Sequence, residues 1–275
     1  MPKKSWIALL LFLLLLLLLI LYWLWSHGPT PPGPTACTPD VPVNAGLLTS
    51  PPTDIANVSE VIPLGNLNPG GGHVLSVDHM YLSYPVPDGG GSLSYPVYNM
   101  ADGKLFMIFR QQVPGRPDYD YQVFIKHTCS VYSYVDHLHG LSPTIAGYLT
   151  SHSVSWNDLS GSGAGPWFIF LGQSGGAAML PLASGEQIGI TRNYSYSWDV
   201  GLVDTRQTAG SFANTSPRHY PGMTDLAPLF PVFSGIDLSI YQLGNKMLNA
   251  VCFIDYMSDS SGMQTAWFAK LASSP

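Results

Sequence analysis

From residue 54 onward, short apolar runs alternate with clusters of turn-forming residues. HMYLSYPV, KLFMIFRQQV, YQVFIKHTCSVYSYV, GPWFIFLG and AVCFIDYM are rich in β-branched and aromatic side chains, and PDGGGS, ADGK, PGRPDYD, SGSGAGP, GQSGG and ASGE punctuate them. Runs of this length between such clusters predict strands. KLFMIF and YQVFIK are partly alternating and partly continuous, the pattern of core strands in a sandwich. Helical signals are weak. SPTIAGYLTSHSVSWNDL, residues 142 to 159, predicts one short helix or turn, and TDLAPLFPVF is interrupted by prolines. There is no internal repeat and no heptad. The expected architecture is all-β, an antiparallel β-sandwich or open barrel.

The pattern changes sharply toward the N-terminus. Residues 6 to 25, WIALLLFLLLLLLLILYWLW, contain no charge and no helix breaker. Twenty residues in a helix span about 30 Å, the thickness of a bilayer core. Lys3 and Lys4 precede the run and no charge follows until Asp40, so the positive-inside rule puts the domain outside the membrane. Trp6, Tyr22, Trp23 and Trp25 mark the two ends of the run. The run is too long for the apolar core of a cleaved signal peptide, about 7–15 residues. The expectation is a signal anchor over residues 1–26, a single-pass membrane helix. Residues 27–53 are rich in proline, threonine and glycine, a composition that favours extended chain. They are expected to form a stalk, with an exported β domain over 54–275.

Charge narrows the partners. Setting aside Lys3 and Lys4, nine basic residues face seventeen acidic ones. No basic run exists, which argues against nucleic acid as a partner. The tripeptides at Asn57, Asn193 and Asn214 are glycosylation sequons. Cys129 and Cys252 lie in strand-like surroundings, and an exterior location predicts a disulfide between them. Cys37, on the predicted stalk, is then left over.

Chemistry concentrates in two histidine-rich stretches. GGHVLSVDHMYL holds His73, Asp78 and His79; SYVDHLHGLS holds His137 and His139. His, Asp, Cys and Glu are the donors that zinc sites use. His137 and His139, two apart, point to one side if the strand stays extended. GQSGG is not a nucleophile-elbow sequence, and GSGAGP lacks the helix that a dinucleotide fingerprint needs.

The order of segments adds a resemblance. MADGK, then VFIKHTCSVYSYVDHL, then SGEQIG, over roughly residues 61 to 205, resembles the lysostaphin-type zinc endopeptidases, duplicated-hybrid-motif β domains that cleave peptidoglycan cross-links. By position, His73 resembles the first zinc-ligand histidine, Asp78 the ligand aspartate, and His137 the histidine that helps stabilise the transition state. The His73–Asp78 spacing is five rather than the family's four, and His79 stands ready to replace either ligand. The family's H-x-H strand reads SWDVGL here. In one register Asp199 takes the first histidine's place and Gly201 leaves the ligand position empty. In the other Asp199 is itself the third ligand. Strand parity permits both.

The resemblance implies a membrane-anchored, exported peptidase-like domain acting on cell-wall or surface peptides, with zinc as cofactor and with catalysis weakened or lost. A non-catalytic surface module, binding a wall polymer or partner or serving structurally, is the alternative. Convergence of the histidines separates a peptidase-derived site from scattered surface histidines.

Overall fold

The computed structural model describes residues 37–42, 45–62, 79–85, 93–112, 118–158, 167–172, 177–192, 198–207, 250–259 and 262–274. The apolar run 6–25, His73, Asp78 and TDLAPLFPVF lie outside the described residues. Among the described residues no helix is long and apolar enough to cross a membrane.

The architecture is mostly β, as the run pattern predicts. The strands are β1 (Glu60–Ile62), β2 (Met80–Ser83), β3 (Ser94–Tyr98), β4 (Gly103–Gln112), β5 (Tyr119–Lys126), β6 (Val131–Leu138), β7 (Gly140–Leu141), β8 (Asn157–Asp158), β9 (Trp167–Phe170), β10 (Leu180–Leu182), β11 (Gln187–Arg192), β12 (Trp198–Asp204) and β13 (Ala250–Val251). The larger sheet runs β1-β2-β12-β6-β5-β4-β9-β8, with β10 on β4 and β13 on β12; a smaller sheet runs β3-β11-β7. Every strand pair is antiparallel.

Alternation gives the large sheet two different faces. One carries Ile108, Val123, Ile125, Val135, Val200 and Leu202, which pack with Val97 and Ile188 of the small sheet in the main core. Tyr84, just after β2, stacks on both Tyr95 of β3 and Trp198 of β12, tying the sheets together. The opposite face carries the aromatic rings of Phe109, Phe124 and Tyr134 and then a run of polar side chains, described below.

Two helices flank the sheets. The one over Pro143–Ser151, α1, answers the helix signal in 142–159: Ser142 caps it by accepting from the Ile145 N–H, and proline stands in its first turn. The other, α2 (Met263–Ala272), was not foreseen. It follows Gly262 without a side-chain cap and buries Trp267 against Phe253.

One finding extends an expectation and a second corrects one. First, described residues of the predicted stalk, within 37–42 and 45–53, make contacts with the β domain. Leu48 is fully buried, and its backbone bonds to Tyr256 and Ser258. Thr49 and Ser50 both donate to the Met100 carbonyl. The proline-rich average over 27–53 hides this short apolar piece, Gly46–Leu47–Leu48. Second, the disulfide joins Cys37 to Cys129, and Cys252 is free. Cys252 sits beside the Met80 sulfur on the far side of β12, and burial pushes its thiol up to about 11. Cys129 instead closes a turn after β5 onto the N-terminal segment, where its N–H donates to the Thr38 carbonyl. Asp40 strengthens the same seam by accepting from Thr128 and Ser130.

That turn also contains a pH-sensitive group. His127 is buried, with its Nδ1–H donating to the Asp102 carbonyl and its Nε2 accepting from the Ser133 hydroxyl. Burial lowers its pKa from 6.5 to about 4, although the backbone carbonyls near it favour the proton. Between those values the unfolded chain takes up a proton that the folded chain refuses. Stability from this residue is therefore present above pH 6.5 and is lost as pH falls toward 4, by about 3 kcal/mol. Urea midpoints measured across that window should fall more steeply for the wild type than for His127→Gln; parallel curves would show that His127 does not titrate this way.

Candidate functional site

The site is built on the second face of the large sheet, where β2, β12, β6 and β5 lie side by side. Asp199 of β12 stands opposite Tyr81 of β2 on one side and Asp136 of β6 on the other. Its Oδ2 is 3.2 Å from His79 Nε2 and 3.6 Å from His137 Nε2. His137 Nδ1 in turn lies 2.9 Å from Asp120 Oδ2. A chain of alternating imidazole and carboxyl groups, His79–Asp199–His137–Asp120, thus runs across the sheet from the start of β2 to β5.

A bulge makes this arrangement. Tyr121 pairs with Leu138 and Val123 with Val135, so Gln122 faces two residues of β6, Asp136 and His137. The extra residue takes a left-handed backbone, φ 62° at His137, a conformation uncommon for a non-glycine residue. Asp136 holds it there: Oδ1 accepts from the His137 N–H and Oδ2 accepts from Gln122 Nε2. From the small sheet, the Thr191 hydroxyl donates to the His137 carbonyl. The bulge breaks the alternation on which the common direction of His137 and His139 depended. His137 is drawn to Asp120 and Asp199, whereas His139 donates its N–H to the Ile190 carbonyl of β11, where the chain turns into β7.

The electrostatics are lopsided. Asp120, Asp136 and Asp199 are buried carboxylates, exposed by 5%, 6% and 2%. His79 is buried as well, and His137 alone opens to solvent, its side chain 41% exposed. Burial works against charge on His137, but Asp136, Asp120 and Asp199 together hold its pKa well above the usual value. The imidazole is embedded in acidic groups that favour its protonated form.

Gly201 is two residues along β12 from Asp199 and faces the same way. Its cross-strand neighbour is Tyr134, and a Cβ built on Gly201 would overlap the Tyr134 ring. That ring is buried, stacked on Phe124 and edge-on to His79. The position is not a vacant ligand slot; a phenol ring occupies it. An aromatic side chain laid over a cross-strand glycine also explains why glycine stands there.

Of the residues singled out from the sequence, His79, His137 and Asp199 converge. His73 and Asp78 lie outside the described residues. Asp120, Asp136 and Gln122 complete the cluster and were not foreseen, although Asp136 stands next to His137 in the quoted motif. A separate cleft of about 380 Å³, lined by Pro51, Ile55, Tyr98, Met263 and Trp267, contains none of these residues.

Fold and site together define a mostly antiparallel β domain with a buried His–Asp cluster opening at one histidine. No family model matches the chain, and no curated protein matches it. Among solved structures, a zinc-containing peptidase from Vibrio cholerae aligns at 14% identity over 57% of this chain and 36% of its own, with a TM-score of 0.31. Csd3 of Helicobacter pylori aligns at 11% identity over 72% of this chain and 46% of its own, with a TM-score of 0.32. The chain spans less than half the length of either, and likenesses at this level assign neither family nor activity.

Proposed function

We propose that this chain is a membrane-anchored, exported, peptidase-like β domain that engages cell-wall or surface peptides without cleaving them through a zinc triad. The observation that supports it is the Tyr134 ring over Gly201. A hydrolytic zinc site keeps three protein ligands and one open position for water. The endopeptidases that the segment order resembles take one of those ligands from the second position of H-x-H; in the register that sets Asp199 at the first histidine, that position is Gly201, with no side chain and no room for one. The residues therefore do not fit that ligand set, and no hydrolytic step follows from it. What the site retains is a solvent-facing His137, its protonated form favoured by the carboxylates behind it and suited to the carboxylate groups of a peptide cross-link.

The test uses the full chain in detergent, mixed with insoluble peptidoglycan with and without added zinc. The protein is expected to sediment with the polymer and to release no soluble fragments under either condition. His137→Ala should weaken the sedimentation. Release of fragments that Asp199→Ala abolishes would overturn the proposal. It would establish instead the reading in which Asp199 is a zinc ligand, which the 3.2 Å approach of His79 Nε2 to Asp199 Oδ2 favours. Failure to sediment at all would also overturn it.

A further inference from the structure

Three buried carboxyl groups meet on this face. Asp136 and Asp199 are directly opposed across β6 and β12, and Asp120 lies one strand further on, joined to the same imidazole. Buried like charges are costly unless something of opposite sign neutralises them. His137 shares its two nitrogens between Asp120 and Asp199, and His79 faces Asp199 from β2. The next arginine, Arg192, is engaged by Asp118 at 3.1 Å.

The donor atoms of Asp120, Asp136 and His137 all lie within 4.8 Å of one another. A second feature is independent of that clustering. Asp120 is 95% buried, and its Oδ1 has no hydrogen-bond partner among the described residues. A buried carboxylate oxygen without a donor is short of a positive partner.

We propose that Asp120, Asp136 and His137 form a binding site for a divalent transition-metal cation, with Mn²⁺ and Zn²⁺ preferred over Mg²⁺ and Ca²⁺. The site is distinct from the His73, Asp78 and Asp199 set and does not rest on the peptidase-like reading. Imidazole nitrogen with two carboxylates suits zinc and manganese, whereas all-oxygen sets suit magnesium and calcium. Ligands on an ion at about 2.1 Å stand about 3.0–3.4 Å apart, and His137 Nδ1 and Asp120 Oδ2 are already 2.9 Å apart. The bulge at residue 137 brings the imidazole to the carboxylates, and the hydrogen bond from Gln122 orients Asp136.

The full chain, stripped with chelator in detergent, is titrated with MnCl₂ and with ZnCl₂ by calorimetry, and the manganese complex is examined by pulsed electron paramagnetic resonance. One equivalent is expected to bind. A nitrogen coupling should appear that His137→Gln removes. Asp120→Asn and Asp136→Asn should each weaken binding about tenfold or more, while His152→Gln, at the exposed end of α1, binds as the wild type does. Circular dichroism checks that each variant is folded, and a thermal shift on adding manganese, present in the wild type and absent in the Asn variants, provides a second readout. No binding by the wild type would overturn the proposal. Binding that the Asn variants keep, or that His152→Gln abolishes, would also overturn it.

Discussion

Gly201→His is expected to destabilise the fold by about 3 kcal/mol, the upper part of the range for forcing extra atoms into a packed core. From sequence alone, one register of SWDVGL makes this substitution a restoration, returning a zinc ligand to an empty position. The structure reverses that expectation. Any Cβ at residue 201 enters the Tyr134 ring, and the ring cannot simply swing aside, because it is buried between Phe124 and His79. The single variant should therefore unfold at lower urea without gaining zinc affinity. Adding Tyr134→Ala removes the obstruction and places an imidazole on the sheet face that holds His79 and Asp199. Zinc should then raise the urea midpoint of the double variant by more than it raises that of either single variant. A Gly201→His protein with the wild-type midpoint would show that the ring does not fill the site.

The same position shows what sequence reasoning can and cannot reach. Parity along β12 correctly puts Asp199 and Gly201 on one face, and local composition correctly marks β2, β4, β5, β6 and β9 and the helix begun by Ser142 and Pro143, whereas most of AVCFIDYM forms a 3-10 turn, not a strand. The partner that covers Gly201 depends on the register of β12 against β6, a relation between residues 67 positions apart that no local pattern encodes. His137 illustrates the same limit. It is legible as a candidate from its residue type, but its direction is set by a bulge, which breaks the alternation used to aim side chains. Asp120 and Gln122 become partners of β6 only through that bulge. The helix α2 escaped because it begins at a glycine with no capping side chain and buries little beyond Trp267. The packing of Leu48 escaped for a compositional reason: the prolines around it outnumber the apolar residues that enter the core.

Loss of the Cys37–Cys129 disulfide is expected to be the costliest single change, about 4–5 kcal/mol. The bond spans 92 residues, and closing a loop of that length removes about that much conformational freedom from the unfolded chain. Cys37→Ser, Cys129→Ser and the double variant should lose the same amount, since each breaks one shared bond and the losses cannot add. Reductant should lower the urea midpoint of the wild type to theirs and leave the variants unmoved. Cys252→Ser should keep the full response to reductant, whereas the pairing of Cys129 with Cys252 read from the sequence requires it to abolish that response. The seam does not depend on the disulfide alone. The Cys129 N–H donates to the Thr38 carbonyl, Asp40 accepts from Thr128 and Ser130, and Arg206 reaches the Val41 carbonyl while it pairs with buried Asp204. Reduction should therefore destabilise the whole domain before it releases residues 37–42. Hydrogen exchange across β6 should rise uniformly on reduction; a rise confined to the amides of 37–42 would show that the bond fastens only the N-terminal segment.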